Sequence, residues 1–103
     1  MLVRKRRGDG KRTDLVVIAY DIANDRRRAR VVRWLMGFGD RVQRSVFECE
    51  LAPAQLAEAW EGTRRLLGRN DRLSAYVICA SCRRRARRVP ESSPARRPPV
   101  SFA

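Results

Sequence analysis

The run Leu15-Val16-Val17-Ile18-Ala19-Tyr20 is apolar at every position and rich in β-branched residues. Successive side chains of a strand point to opposite faces, so six apolar residues in a row call for cover on both sides. Such a run is the central strand of a sheet. A second apolar stretch, Leu73 to Cys79, predicts another strand. Between them the period changes. Asn24 and Asp25 are both competent helix N-caps. In residues 26–36, Ala29, Val32 and Met36 form a stripe with Val31 and Leu35, and Arg26, Arg30 and Arg33 line the opposite side. Gly37 and Gly39 stop that helix. Pro53 suits the first turn of a second helix, in which Leu56, Trp60, Thr63 and Leu67 recur on one face. Gly68-Arg69-Asn70-Asp71 reads as a turn. From Arg41 to Leu51 the chain reads as β structure, with Val42 and Val46 on one face and Gln43, Ser45 and Phe47 on the other. No Gly or Pro marks a turn inside it, so the pattern fits one bent strand or two short ones.

Strand, helix, β segment, helix, strand is the order of an α+β protein: a ferredoxin-like βαββαβ sandwich with helices on one sheet face. The other face then needs a cover. Tyr20, Phe47 and Tyr76 are too apolar for open water, and Gln43 and Ser45 too polar for a core. A mixed surface of this kind predicts a homodimer packed through the open sheet face, with Tyr20, Gln43, Ser45 and Phe47 at the interface. The expected organisation is a flexible basic arm (1–13), a ferredoxin-like domain (14–89) and a Pro-rich tail (90–103) holding four of the five prolines.

Charge divides along the same boundaries. Residues 1–13 carry six basic and one acidic residue, net +5; residues 83–103 carry seven and one, net +6. Residues 14–82 hold eleven and nine, so most of the net +13 sits at the ends. That balance points to a polyanionic partner, nucleic acid. The run Arg83-Arg84-Arg85-Ala86-Arg87-Arg88 follows a predicted strand directly, which is the placement of a patch that tracks phosphates. There is no recognition helix and no aromatic stacking series, so binding is expected to be independent of sequence. Met1-Leu2-Val3 is followed at once by Arg4-Lys5-Arg6-Arg7 with no apolar signal-peptide core, and no run approaches a membrane span. A cytoplasmic protein with reduced thiols and no membrane partner is expected.

The sequence has no His, which removes the commonest general base and metal-ligating imidazole. Asp21, where the first apolar strand ends, is either a turn or helix-initiating residue or a hard oxygen ligand for Mg²⁺ or Mn²⁺. One carboxylate holds such an ion weakly; two Asp21 side chains brought together by a dimer axis hold it better. Cys79 and Cys82 form a single CxxC. Zinc needs four ligands and Cys49 adds only a third, so the simplest reading is small buried residues at a strand end.

Tyr20-Asp21-Ile22 with Asp25-Arg26-Arg27-Arg28 and Arg30, then Arg41-Val42-Gln43 with Ser45-Val46-Phe47-Glu48, then Leu51, Pro53 and Leu56, and finally Cys79-Ala80-Ser81-Cys82 resemble the CRISPR-associated Cas2 family, in register and in order over residues 15–82. The resemblance implies a ferredoxin-like homodimer that works in spacer acquisition beside the Cas1 integrase. It also implies a metal-dependent endonuclease acting on RNA or double-stranded DNA. The family's metal aspartate falls on Asp21, and its basic positions on Arg28, Arg30 and Arg41, which would clamp phosphate or stabilise the transition state. Arg26, Arg27 and Arg33 read as a solvated helix face. Ala52 stands where the family's second helix usually has a hydroxyl cap, a change costing about 1 kcal/mol. Two other readings share the fold: a non-catalytic scaffold, and a toxin-like RNA nuclease outside any CRISPR system.

Overall fold

The computed structural model describes residues 12–89. The predicted arm and tail therefore lie outside the described residues, apart from Arg12 and Thr13. Strand β1 (Asp14–Asp21) occupies the interior of a four-stranded antiparallel sheet of order β2-β3-β1-β4. It is followed by α1 (Asp25–Leu35), β2 (Gly39–Gln43), β3 (Val46–Leu51), α2 (Pro53–Leu66), β4 (Arg72–Ile78) and a short α3 (Ala80–Arg84). The predicted βαββαβ order is present, and α3 is an addition to it. The Arg41–Leu51 region is two strands, joined at Arg44-Ser45 without Gly or Pro.

β1 alternates strictly. Val16, Ile18 and Tyr20 are buried on the helix-covered face, and Leu15, Val17 and Ala19 are half-buried on the other. β3 supplies Phe47, Cys49 and Leu51 to the same core, where Phe47 is fully buried. α1 contributes Val31 and Leu35, and α2 contributes Ala59 and Thr63. The α1 stripe is narrower than expected: Ala29 and Met36 are exposed. The α2 face is centred on Gln55, Ala59 and Thr63, with Leu56 and Leu67 at its margin.

Both helices start for identifiable reasons. Asn24 caps α1, its Oδ1 accepting the Arg27 N–H at 2.9 Å. α2 has Ala at its N-cap, and the missing hydroxyl is offset in part by Gln55, whose Oε1 accepts the Ala52 N–H at 2.8 Å. The helices meet where Trp34 lies on Gly62, its Nε1 donating to the Ala59 carbonyl at 3.1 Å. Gly39 lets β2 approach β3 closely, since any Cβ there would overlap Cys49 Sγ and the Glu48 carbonyl.

The expected placement of Tyr20 and Phe47 at an open dimer face is corrected. A register shift between Arg41 and Gln43 pairs Arg41 with Phe47 but Gln43 with Val46. That irregularity inverts the side-chain phase, so Gln43 shares a face with Val46 while Phe47 turns into the core. Tyr20 packs beside it, ring centroids 6.3 Å apart. Gln43 is exposed and Ser45 half-buried at the hairpin.

Candidate functional site

β1, the start of β4, the start of α1 and the β2–β3 turn converge at one end of the sheet. Asp21 is the last residue of β1, exposed, and paired in register with Arg72. Strand parity places it on the open face with Val17 and Ala19. At the same end of the sheet, two guanidiniums are held by backbone carbonyls. Arg28 donates through Nη1 to the Ile22 carbonyl at 2.9 Å and pairs with Asp25. Arg41 donates through Nε and Nη2 to the Arg44 carbonyl, at 3.2 and 3.0 Å. The same carbonyl accepts the Tyr20 hydroxyl at 2.9 Å, and the Tyr20 amide donates to the Ser45 carbonyl. Burial pushes the Tyr20 phenol above its ordinary value, opposed by the positive charges of Arg41 and Arg28. Both arginines therefore lie near the hydroxyl of Tyr20, whose side chain points to the helix-covered face, whereas Asp21 points to the open one. Arg30 is exposed on α1 and is not brought into this cluster by any hydrogen bond to it.

Arg27 departs from the solvated-face expectation. Its Nε donates to Asp71 Oδ2 at 2.8 Å, and the same carboxylate accepts the Gly68 N–H at 2.7 Å. The Arg27 hydrogen bond, with that amide, holds the Asp71 carboxyl below its ordinary value of 3.8. This pair ties α1 to the turn before β4, and the sequence signal for it is the Asp closing a Gly-Arg-Asn-Asp turn.

The basic run lies across the open face. Arg83 pairs with Glu50 at 2.9 Å and Arg88 with Glu48 at 2.7 Å, both glutamates on the open side of β3. Residues 83–89 enclose a cleft with Leu15 and Glu48. Arg83 and Arg88 fasten this segment down, while Arg84, Arg85 and Arg87 are exposed. Cys79 and Cys82, at the junction of β4 and α3, are exposed rather than buried; Cys49 is buried. The rest of the open face shows Val17, Ala19 and Val46, half-buried, with Tyr76 58% exposed. Among the described residues no three metal-ligating side chains converge. Asp21 is an exposed carboxylate at this end of the open face, and a hard ion such as Mg²⁺ keeps several waters and takes one or two carboxylates together with substrate phosphates.

The antiparallel β2-β3-β1-β4 sheet, with two helices on one face and an exposed carboxylate on the other, defines a ferredoxin-like α+β protein with a basic flank. The family model for CRISPR associated protein Cas2 matches residues 14–86. The chain is 38% identical over 80 residues to a CRISPR-associated endoribonuclease Cas2 of Chloroflexus aurantiacus, covering 76% of this chain and 86% of that one. The crystal structure of Streptococcus pyogenes Cas2 superposes with a TM-score of 0.63 at 25% identity, covering 72% of this chain and 96% of that one. A chain in a partial Cas6-RT-Cas1–Cas2 complex shares the fold, with a TM-score of 0.64 at 21% identity over 82% of this chain and 98% of that one. The chain belongs to the Cas2 family of CRISPR-associated proteins. No helix among the described residues is long and apolar enough to cross a membrane.

Proposed function

We propose that this chain is a homodimeric protein of CRISPR spacer acquisition that binds duplex DNA as a scaffold for the Cas1 integrase and also cleaves phosphodiester bonds with Mg²⁺ or Mn²⁺. The observation that carries this reading is the position of Asp21. It stands exposed on the sheet face that α1 and α2 leave uncovered and that, beside the segment 83–88, presents Val17, Ala19, Val46 and Tyr76. Closing that face with a second copy buries apolar surface and brings the two Asp21 carboxylates into one interface. The Asp21 pair would hold the cation, which when bound supplies Lewis-acid activation of phosphate and water. Arg28 and Arg41 orient the phosphate, their planes set by the Ile22 and Arg44 carbonyls. Arg30 adds charge at longer range. Arg84, Arg85 and Arg87 follow the backbone of the duplex without reading bases.

A relative named an endoribonuclease supports RNA as a cleavage substrate, and the scaffold role agrees with the fold shared with a chain of a Cas1–Cas2 complex. The scaffold-only reading is favoured by one observation, that no three metal-ligating side chains converge among the described residues. Incubating the full chain with single-stranded RNA and with duplex DNA, in Mg²⁺, in Mn²⁺ and in chelator, separates the two. Cleavage in either metal and none in chelator is expected. Intact substrates in both metals across pH would leave the scaffold alone.

A further inference from the structure

We propose that Cys79 and Cys82 are a reversible dithiol–disulfide site that reacts with small-molecule disulfides of the glutathione type. The two are the only exposed cysteines among the described residues. Cys79 follows the last residue of β4 and is the N-cap of α3, and Cys82 lies in the first turn of that helix. The turn is already closed, the Arg83 N–H donating to the Cys79 carbonyl at 2.8 Å and the Arg85 N–H to the Cys82 carbonyl at 3.0 Å. An i, i+3 spacing around a helical turn brings Cα atoms to about 5–6 Å, the separation a disulfide requires. Bridging the pair therefore needs side-chain rotation and no rearrangement of the strand.

The two sulfurs are not equivalent. Cys79 makes no side-chain capping hydrogen bond, yet the Cys82 amide and thiol, then the Ser81 amide, lie near its sulfur and draw its thiol below the ordinary 9.0. The same contact pushes the Cys82 thiol up. Arg84 and Arg85 follow closely and are exposed, a positive flank that favours the approach of an anionic peptide disulfide. Cys79 is thus the attacking sulfur and Cys82 the resolving one.

The reaction balances as two exchanges. The Cys79 thiolate attacks one sulfur of the small disulfide, whose S–S bond breaks and releases one thiolate. The Cys82 thiol then loses its proton to water, and its sulfur attacks Cys79, expelling the second thiolate. The protein loses two electrons and two protons, and the small disulfide becomes two thiols. Reduction by an excess of the small thiol reverses both steps.

Trypsin cleaves after Arg72 and Arg83, so residues 73–83 carry both cysteines in one peptide and Cys49 lies in another. The full-length reduced protein is incubated with glutathione disulfide, blocked with a thiol alkylator and mapped by mass spectrometry. Peptide 73–83 is expected to contain an internal disulfide that glutathione reverses, with Cys49 unoxidised. Cys82→Ser is expected to accumulate one glutathionyl group on Cys79, and Cys79→Ser to react about tenfold more slowly at neutral pH. Alkylation of Cys79 is expected to become half-maximal at a lower pH than alkylation of Cys82. A peptide 73–83 that keeps two alkylatable thiols, or that is found only cross-linked between chains, overturns the proposal. Equal reactivity of the two single variants overturns the assignment of Cys79 as attacking sulfur.

Discussion

Replacing Gly62 by Ala puts two quantities of known size in opposition. Alanine is the better helix former, and in an open helical position the change stabilises by about 1 kcal/mol. Here the new Cβ would overlap the Trp34 ring at Cζ2 and Cε2 and lie 2.7 Å from its Nε1. The ring cannot swing aside without cost, because its Nε1 is bonded to the Ala59 carbonyl and it meets Phe38 edge-on at 5.0 Å. Overpacking of this kind costs about 1–3 kcal/mol, and loss of the indole hydrogen bond about 1 kcal/mol more. The net expectation is a destabilisation of about 2 kcal/mol, or roughly 8–16 °C in Tm for a domain of this size. Thermal unfolding followed by circular dichroism at fixed protein concentration measures it. The sign reverses when Trp34 is absent: in a Trp34→Ala background, Gly62→Ala is expected to raise stability by up to about 1 kcal/mol. A neutral or stabilising Gly62→Ala in the otherwise unaltered protein would refute the close α1–α2 packing.

The remaining expectations address the open face, the charges and acid. Tyr76→Arg changes a side chain that is 58% exposed, so it should leave secondary structure intact and shift sedimentation from dimer toward the 11.9 kDa monomer, whereas Phe47→Arg should prevent folding; an unchanged dimer with Tyr76→Arg removes this face from the interface. Duplex binding that neutralises about six phosphates should give a log K against log salt slope near −5. Changing Arg84, Arg85 and Arg87 to Ala should flatten that slope by about 0.9 for each phosphate no longer neutralised, and a salt-insensitive affinity contradicts the phosphate-tracking role. The Asp71 carboxyl is held below 3.8 in the folded chain, so the unfolded chain takes up that proton first as pH falls. Its contribution is complete above that value and fades as acid titrates the folded carboxyl, so Asp71→Asn should lower Tm at neutral pH and flatten its fall below pH 3.8; identical acid profiles would mean that the Arg27 pair contributes nothing.

Much of this architecture is legible in residue order because its signals are local. β1 announces itself by six apolar residues in a row, Asn24 by its place before the first helical turn, and Pro53 by its ring. What stays hidden depends on neighbours distant in sequence or on one displaced residue. Val42 and Val46 suggest a continuous alternation, but the register shift after Arg41 reverses it, so the pattern puts Phe47 on the wrong face and Tyr20 with it. Arg27 looks like any other arginine of a basic helix until the fold brings Asp71 to it across 44 residues. Gln55 hides its capping role behind an expectation of Ser or Thr at position 52. Cys79 and Cys82 read as buried if β4 ends in the core, whereas they lie exposed at the junction of β4 and the short α3. At the candidate site, Asp21 is visible as a carboxylate terminating a buried strand. The anchoring of Arg28 and Arg41 on the Ile22 and Arg44 carbonyls is not, since main-chain acceptors leave no mark in a sequence.

The most direct measurement is cleavage against binding in a single variant, Asp21→Asn, assayed with RNA and duplex DNA in Mg²⁺ and Mn²⁺. Asn is nearly the same size and tolerates the exit from a strand, so the fold should survive. A neutral amide oxygen is a much poorer ligand for a hard cation, so divalent-dependent cleavage should disappear. Duplex affinity should hold or rise, because a negative charge near phosphate is gone. Loss of cleavage with retained binding is the predicted result; full cleavage by Asp21→Asn would contradict it and remove Asp21 from the chemistry.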